Sequence, residues 1–239
     1  MLRRLLTPVL LLVSLSACAQ PAAPAAAKPA ARAAVVPAFL PKAGVDYEVL
    51  QTPQPQYATG GKIEIAEVFS YRCIHCAEFQ PKVDAWRKTM PADVRWEYVP
   101  AVFGGTWDTF ARAFFAAQLM GVQPRTHDLV FKGVFVDQYV KSGTVEEIAD
   151  MYGRWGVDKV KFLATMNSFG VTGKLNRAKQ FALRTGIEAT PTLIVNGKYR
   201  VNVTPERGFD GMLVTTNWLI GQERAAKRVP VPVPVPKKS

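Results

Sequence analysis

The stretch Ile63-Glu64-Ile65-Ala66-Glu67-Val68-Phe69-Ser70-Tyr71-Arg72-Cys73-Ile74-His75-Cys76 decides the fold. Residues 62–69 make an apolar strand. From Cys76 onward, apolar residues recur at Phe79, Val83, Trp86 and Met90. Those steps of three and four belong to a helix with one buried face. Pro81 falls inside it and predicts a kink, since proline lacks an N–H and crowds the carbonyl four residues back. Two thiols therefore stand where a strand gives way to a helix. The unpaired N–H groups and the dipole at a helix start favour an anion, and the thiolate is the reactive form of cysteine. The stretch reads as a redox centre.

The N-terminus reads as an export signal. Arg3 and Arg4 precede an apolar run from Leu5 to Leu15, shorter than the roughly 20 residues a membrane span needs. Leu15-Ser16-Ala17-Cys18 resembles a bacterial lipobox, which predicts cleavage before Cys18 and a lipid on it. An ordinary signal peptide that leaves Cys18 as a spare thiol is the alternative. With a lipid there, the three cysteines divide into one anchor and one redox pair. An exported compartment is oxidising, so a Cys73–Cys76 disulfide persists in it. The expected place is the periplasm, at a membrane surface.

Residues 19–37 are almost all Ala and Pro, too poor in apolar bulk to order themselves, and read as a tether. Val229 to Pro236 alternates Val and Pro, a polyproline II pattern. Between them the chain is long enough for one domain with an insertion. The 30 basic and 19 acidic residues are dispersed. Without a basic stripe carrying interleaved aromatics, nucleic acid is excluded as a partner. A mildly cationic surface suits an anionic membrane.

In order, 47–50 and 62–69 read as strands, followed by the redox helix, and Val94 to Val99 as a half-buried strand. From Gly104 the pattern is helical only. Trp107, Phe110, Phe114 and Ala117 mark one buried face; Leu129, Val130, Gly133 and Val136 mark the next. Thr144 and Glu147 form a capping box, Asp158 caps a further helix, and a last helix over 171–185 ends at Gly186. Residues 190–201 then read as a hairpin turning at Asn196-Gly197, and 208–223 as a closing helix.

This order, with Cys-x-x-Cys at the first helix and Thr190-Pro191 before the hairpin, describes an α/β thioredoxin fold with an inserted all-helical subdomain. The chain resembles the DsbA family of exported thiol:disulfide oxidoreductases. The residues that carry the resemblance are Glu67 to Cys76 and Gly186-Ile187-Glu188-Ala189-Thr190-Pro191-Thr192-Leu193-Ile194-Val195-Asn196-Gly197. It covers about 61–221. Ile74 departs from the proline usual there in the family, which touches the oxidising strength and not the reaction. The expected division is a signal peptide over 1–17, a tether over 18–38, thioredoxin parts over 39–103 and 186–228, a helical insertion over 104–185, and a tail from 229.

Cys73, nearer the helix end, is the expected reacting sulfur, and Cys76, on the buried stripe, its resolving partner. A structural disulfide is the alternative, although so short a loop stabilises a fold little. His75 is placed to stabilise the Cys73 thiolate. His127 reads as structural. Glu67, in an otherwise apolar strand, would carry a raised pKa if buried. The resemblance matches an acid there, which implies proton transfer to Cys76; a strand-edge Glu facing water is the alternative. The resemblance also implies a cis Thr190-Pro191 bond, leaving the Thr190 backbone to pair with substrate. It implies the partners as well: exported proteins with free cysteines and a DsbB-type membrane reoxidase, for a monomer. No cofactor is expected beyond the Cys73-Cys76 disulfide, and no metal, since Cys73, His75 and Cys76 cannot fill a tetrahedral site alone. The rival functions are a reductase or isomerase of the same fold and a non-catalytic tethered adaptor.

Overall fold

A computed structural model describes residues 39–58 and 60–228 of the chain. The signal, the tether with Cys18 and the Val-Pro tail lie outside the described residues. The elements run β1 (Glu48–Val49), β2 (Ile63–Phe69), α1 (Ile74–Arg87), β3 (Val94–Pro100), α2 (Thr106–Leu119), α3 (Gln123–Phe135), α4 (Val145–Gly153), α5 (Lys159–Met166), α6 (Phe169–Arg184), β4 (Thr192–Val195), β5 (Tyr199–Asn202) and α7 (Gly208–Arg228).

The strands form one sheet in the order β1-β5-β4-β2-β3. β2 runs parallel to β3, with Glu67 opposite Tyr98, and antiparallel to β4, with Glu67 opposite Leu193. Every residue of β2 is buried, as a central strand covered on both faces requires. Ile63 and Ile65 pack with Phe79 and Val83 of α1 and Met212 and Leu219 of α7. On the other face Ala66 and Val68 belong to a cluster that includes Phe110 and Phe114 of α2 and Phe181 of α6. Helices α2–α6 therefore share a core with the sheet. Phe69 belongs to this second cluster, its ring edge-on to Phe114 at 5.4 Å and to Tyr71 at 5.2 Å, and Tyr98 packs against both clusters.

The caps follow the sequence chemistry. Thr144 Oγ1 accepts the Glu147 N–H and Asp158 Oδ1 the Lys161 N–H. Glu147 reaches back to the N–H groups of Ser142 and Gly143. Gly186 takes a φ of 63° just past α6, a backbone conformation that costs glycine little. At the hairpin, Asn196 and Gly197 both have positive φ, and a Cβ on Gly197 would run into the Gln54 carbonyl. Only glycine fits.

Several expectations need correcting. The redox helix stops at Arg87, before Met90. The third helix is Gln123–Phe135, and its buried face is Thr126, His127, Val130, Phe131 and Val134. Leu129 and Val136 face outward. Trp107 is only partly buried, with its ring 5.2 Å from that of Phe103.

Candidate active site

β2 ends at Phe69, and the turn through Ser70, Tyr71 and Arg72 delivers Cys73 to the N-cap of α1. Cys73 Sγ accepts the Cys76 backbone N–H at 3.3 Å, the position a Ser or Asp side chain fills in an ordinary cap. Cys73 and Cys76 stand as free thiols. Cys76 is fully buried, while Cys73 keeps slight access to solvent.

The two thiols are driven apart. The hydrogen bond with the Cys76 thiol lowers the Cys73 pKa to about 6, against burial and with help from Thr190 and the N–H groups of Cys76 and His75. Burial pushes the Cys76 thiol far up, reinforced by Cys73 and by Glu67. One sulfur is therefore a thiolate at neutral pH and a good leaving group, and the other is a buried thiol.

The Thr190–Pro191 peptide is cis. The Thr190 carbonyl oxygen accepts from Cys73 Sγ at 3.3 Å. A cavity of about 220 Å³ opens beside this contact, lined by His75, Thr190, Pro191, Asn202, Val203 and Phe209. Beyond Ala189 and Pro191, its apolar wall comes from Val203, just past β5, and from Phe209 of α7, which nothing in the two motifs announces.

The His75 side chain points outward, Nδ1 lying 3.1 Å from Glu78 Oε2. Glu67 is 1% exposed. Burial raises its pKa to about 8; Arg87 opposes this, Cys73 and Asp84 add to it, and the Trp96 indole opposes it. The strand buries this carboxyl beneath the thiols instead of facing it to water. Arg72 is exposed.

His127 sits in the core. Its Nδ1 is 2.8 Å from the Tyr71 hydroxyl and its Nε2 3.2 Å from Gln80 Oε1. The Gln80 oxygen only accepts, so Nε2 carries the proton and Tyr71 donates to Nδ1. Burial, with Arg87, lowers its pKa to about 3, so the ring is neutral and ties α3 to the active-site turn. Among the described residues no three His, Cys, Asp or Glu side chains gather to hold a metal. No helix among them is long and apolar enough to cross a membrane.

A family model described as Thioredoxin matches residues 59–210. The chain is 39% identical over 186 residues to the thiol:disulfide interchange protein DsbA of Pseudomonas aeruginosa, covering 78% of this chain and 87% of that one. The chain belongs to the DsbA family. It is 30% identical over 226 residues to the DsbA of Burkholderia cepacia, covering 95% of this chain and all of that one. Among solved structures, the P. aeruginosa DsbA crystal structure superposes with a TM-score of 0.74 at 39% identity, over 79% of this chain and 97% of that chain. The oxidoreductase DsbA of Xylella fastidiosa does so with the same score and identity, over 78% and 100%. As a DsbA-family protein the chain is a thiol:disulfide oxidoreductase, and its thioredoxin fold is that of its relatives.

Proposed function

We propose that the chain donates its Cys73–Cys76 disulfide to exported proteins in the periplasm, from a membrane surface to which Cys18 tethers it by a lipid. The observation that carries the donor role is the divergence of the two thiols, Cys73 held near 6 and Cys76 pushed far up. A substrate thiolate attacks Cys73 Sγ, the Cys73–Cys76 bond breaks, and Cys76 leaves as a thiolate. Glu67, neutral at that moment, gives its proton to Cys76 directly or through one water. The second substrate thiol, as thiolate, attacks the substrate sulfur and expels Cys73 as a stabilised thiolate. The substrate is oxidised by two electrons and the chain is left as the dithiol, while Glu67 regains a proton from solvent.

The Thr190 backbone and the cavity beside it hold an extended substrate across Cys73, with the cis Pro191 shaping the edge. His75 adds positive potential at this rim when protonated. A DsbB-type membrane protein returns the dithiol to the disulfide, and the chain works as a monomer. The insertion over 104–185 acts as a subdomain that covers the redox centre.

The test is a reaction of the oxidised chain with a reduced, unfolded protein carrying two cysteines. Disulfide should pass to the substrate in equal amounts, and a Cys76→Ala variant carrying a thionitrobenzoate disulfide on Cys73 should exchange it, with release of thionitrobenzoate, for a mixed disulfide with a single-cysteine substrate. Failure to oxidise the substrate would count against donation. For the anchor, the mass of the chain from the membrane fraction of its host should include a lipid on Cys18, and Cys18→Ser should release it. An unmodified chain in the soluble fraction would remove the tether from this reading.

A further inference from the structure

On the neighbouring strands β2 and β3, one buried donor and one buried acceptor lack hydrogen-bond partners. Glu67 Oε2 and Trp96 Nε1 are both sealed from water and neither has a partner at full hydrogen-bond geometry among the described residues, although the indole is near enough to act on Glu67 as a hydrogen-bond donor does. Native proteins pair almost all such groups, so one of each on adjoining strands calls for a reason. β2 and β3 run in parallel register, Ile65 opposite Trp96 and Glu67 opposite Tyr98. With a side-chain period of two, Trp96 and Glu67 project from one face of the sheet, a single step apart. The indole acts on the carboxyl in the direction of its ionised form, while the two atoms stop short of hydrogen-bond geometry.

We propose that the Trp96 indole N–H is a standby donor that closes on Glu67 once its proton has passed to Cys76. This rests on the proton-transfer reading of Glu67 given above. Before transfer Glu67 is a neutral acid, which an apolar site tolerates; afterwards it is a buried carboxylate, which needs a donor. The other groups facing that carboxyl are Arg87 and Asp84 from α1, the two thiols and Tyr98. The Tyr98 hydroxyl is already bonded to Gln80 at 3.0 Å and to Arg87 at 3.2 Å. Asp84 and the thiols bring negative charge. Arg87 favours the anion but is spent on Tyr98 and Asp84. That leaves the indole. Its ring is held between Trp86, at 5.5 Å, and Tyr98, at 6.1 Å, which keeps the indole on the Glu67 side of the sheet. Trp96 thus acts through Glu67, as a positioning residue that makes the transient carboxylate bearable.

The experiment uses the reduced full chain, ¹⁵N-labelled, with the Trp96 indole signal identified by its loss in Trp96→Phe. That signal should move downfield with a midpoint near 8 and stay still in Glu67→Gln. Trp96→Phe keeps an aromatic ring and removes the N–H. It should move the Glu67-dependent midpoint in the pH profile of substrate oxidation up by about one pH unit, tenfold in the dissociation constant. If Glu67→Gln leaves that profile unchanged, the proton-transfer reading fails and this inference with it. If Glu67→Gln abolishes the midpoint but the indole does not titrate and Trp96→Phe leaves the midpoint in place, Glu67 keeps its role and Trp96 has none. Should Trp96→Phe not fold, the Trp96 signal is identified in the unsubstituted chain by its through-space contacts with the Trp86 and Tyr98 rings, and its titration decides alone.

Discussion

Cys73 Sγ and the Thr190 carbonyl oxygen lie 3.3 Å apart across 117 residues of chain. The contact exists because β2 and β4 are antiparallel neighbours, with Val68 opposite Thr192. The end of β2 therefore meets the start of β4, although α1, β3 and the five helices α2–α6 lie between them in the chain. In the proposed function, a substrate strand paired with the Thr190 backbone would be brought against Cys73 by the same geometry.

The first prediction concerns the reactive sulfur. In the reduced chain, alkylation of Cys73 should rise with pH around a midpoint near 6, below the ~8.5 of a free cysteine. Cys76 should stay unlabelled throughout the range in which the fold persists. Quenched labelling followed by peptide mass analysis measures both. Equal labelling of the two cysteines would contradict the site geometry.

The second joins this thiol to stability. The Cys73 pKa is depressed in the folded dithiol form, so ionisation stabilises that form fully above the unfolded value and loses its effect as pH falls through about 6. The disulfide form has no such group. Denaturant melts of the two forms should show the dithiol form gaining stability relative to the disulfide form between pH 6 and 9, and no such gain below pH 5.

Glu67 carries the opposite sign. Its folded pKa is raised to about 8, so its contribution is lost as pH climbs from its unfolded value through about 8. Glu67→Gln should stabilise the chain by roughly 3 kcal/mol at pH 7, at ~1.4 kcal/mol for every pH unit above the unfolded pKa. The gain should vanish near pH 4. Urea midpoints at the two pH values check it, and a variant less stable at pH 7 would mean that the carboxylate is satisfied where it stands.

Phe114 is 1% exposed and sits edge-on to both Phe69 and Phe115. Phe114→Ala should cost about 3–5 kcal/mol, the range of large aromatic truncations in cores. Since the same cluster holds Tyr71 and Cys76, the Cys73 labelling midpoint should move as well. Equilibrium unfolding and the alkylation profile give the two readings.

The fold and the thiol pair are legible in the sequence because their signals are local. The strand and helix on either side of Cys73 show their periods over a few residues, and Asn196-Gly197 marks its own turn. What the sequence hides depends on partners distant along the chain. Leu129 and Val136 keep helical spacing with Val130 and Gly133 only if the buried stripe is one position out of phase. The structure turns His127 and Phe131 inward instead, because the Tyr71 hydroxyl and Gln80 satisfy the imidazole there. Trp107 follows the helical step of Phe110 and Phe114, yet it lies in the first turn of α2 and its ring turns to Phe103. The apolar residues around Glu67 suggest burial, but the neighbours of its carboxyl, Trp96 and Tyr98, belong to β3, and register across strands is not written in either segment alone. The cavity wall at Phe209 and Val203 stays hidden for the same reason.

The most direct test of the central claim is equilibration of the purified chain with glutathione buffers of known ratio. A donor whose dithiol form is stabilised at Cys73 should have a reduction potential well above the ~−270 mV of thioredoxin, toward the ~−120 mV of a strongly oxidising disulfide. His75→Ala should lower it. A potential near thioredoxin's, with the disulfide form the more stable in denaturant, would make the chain a reductase and contradict the donor role.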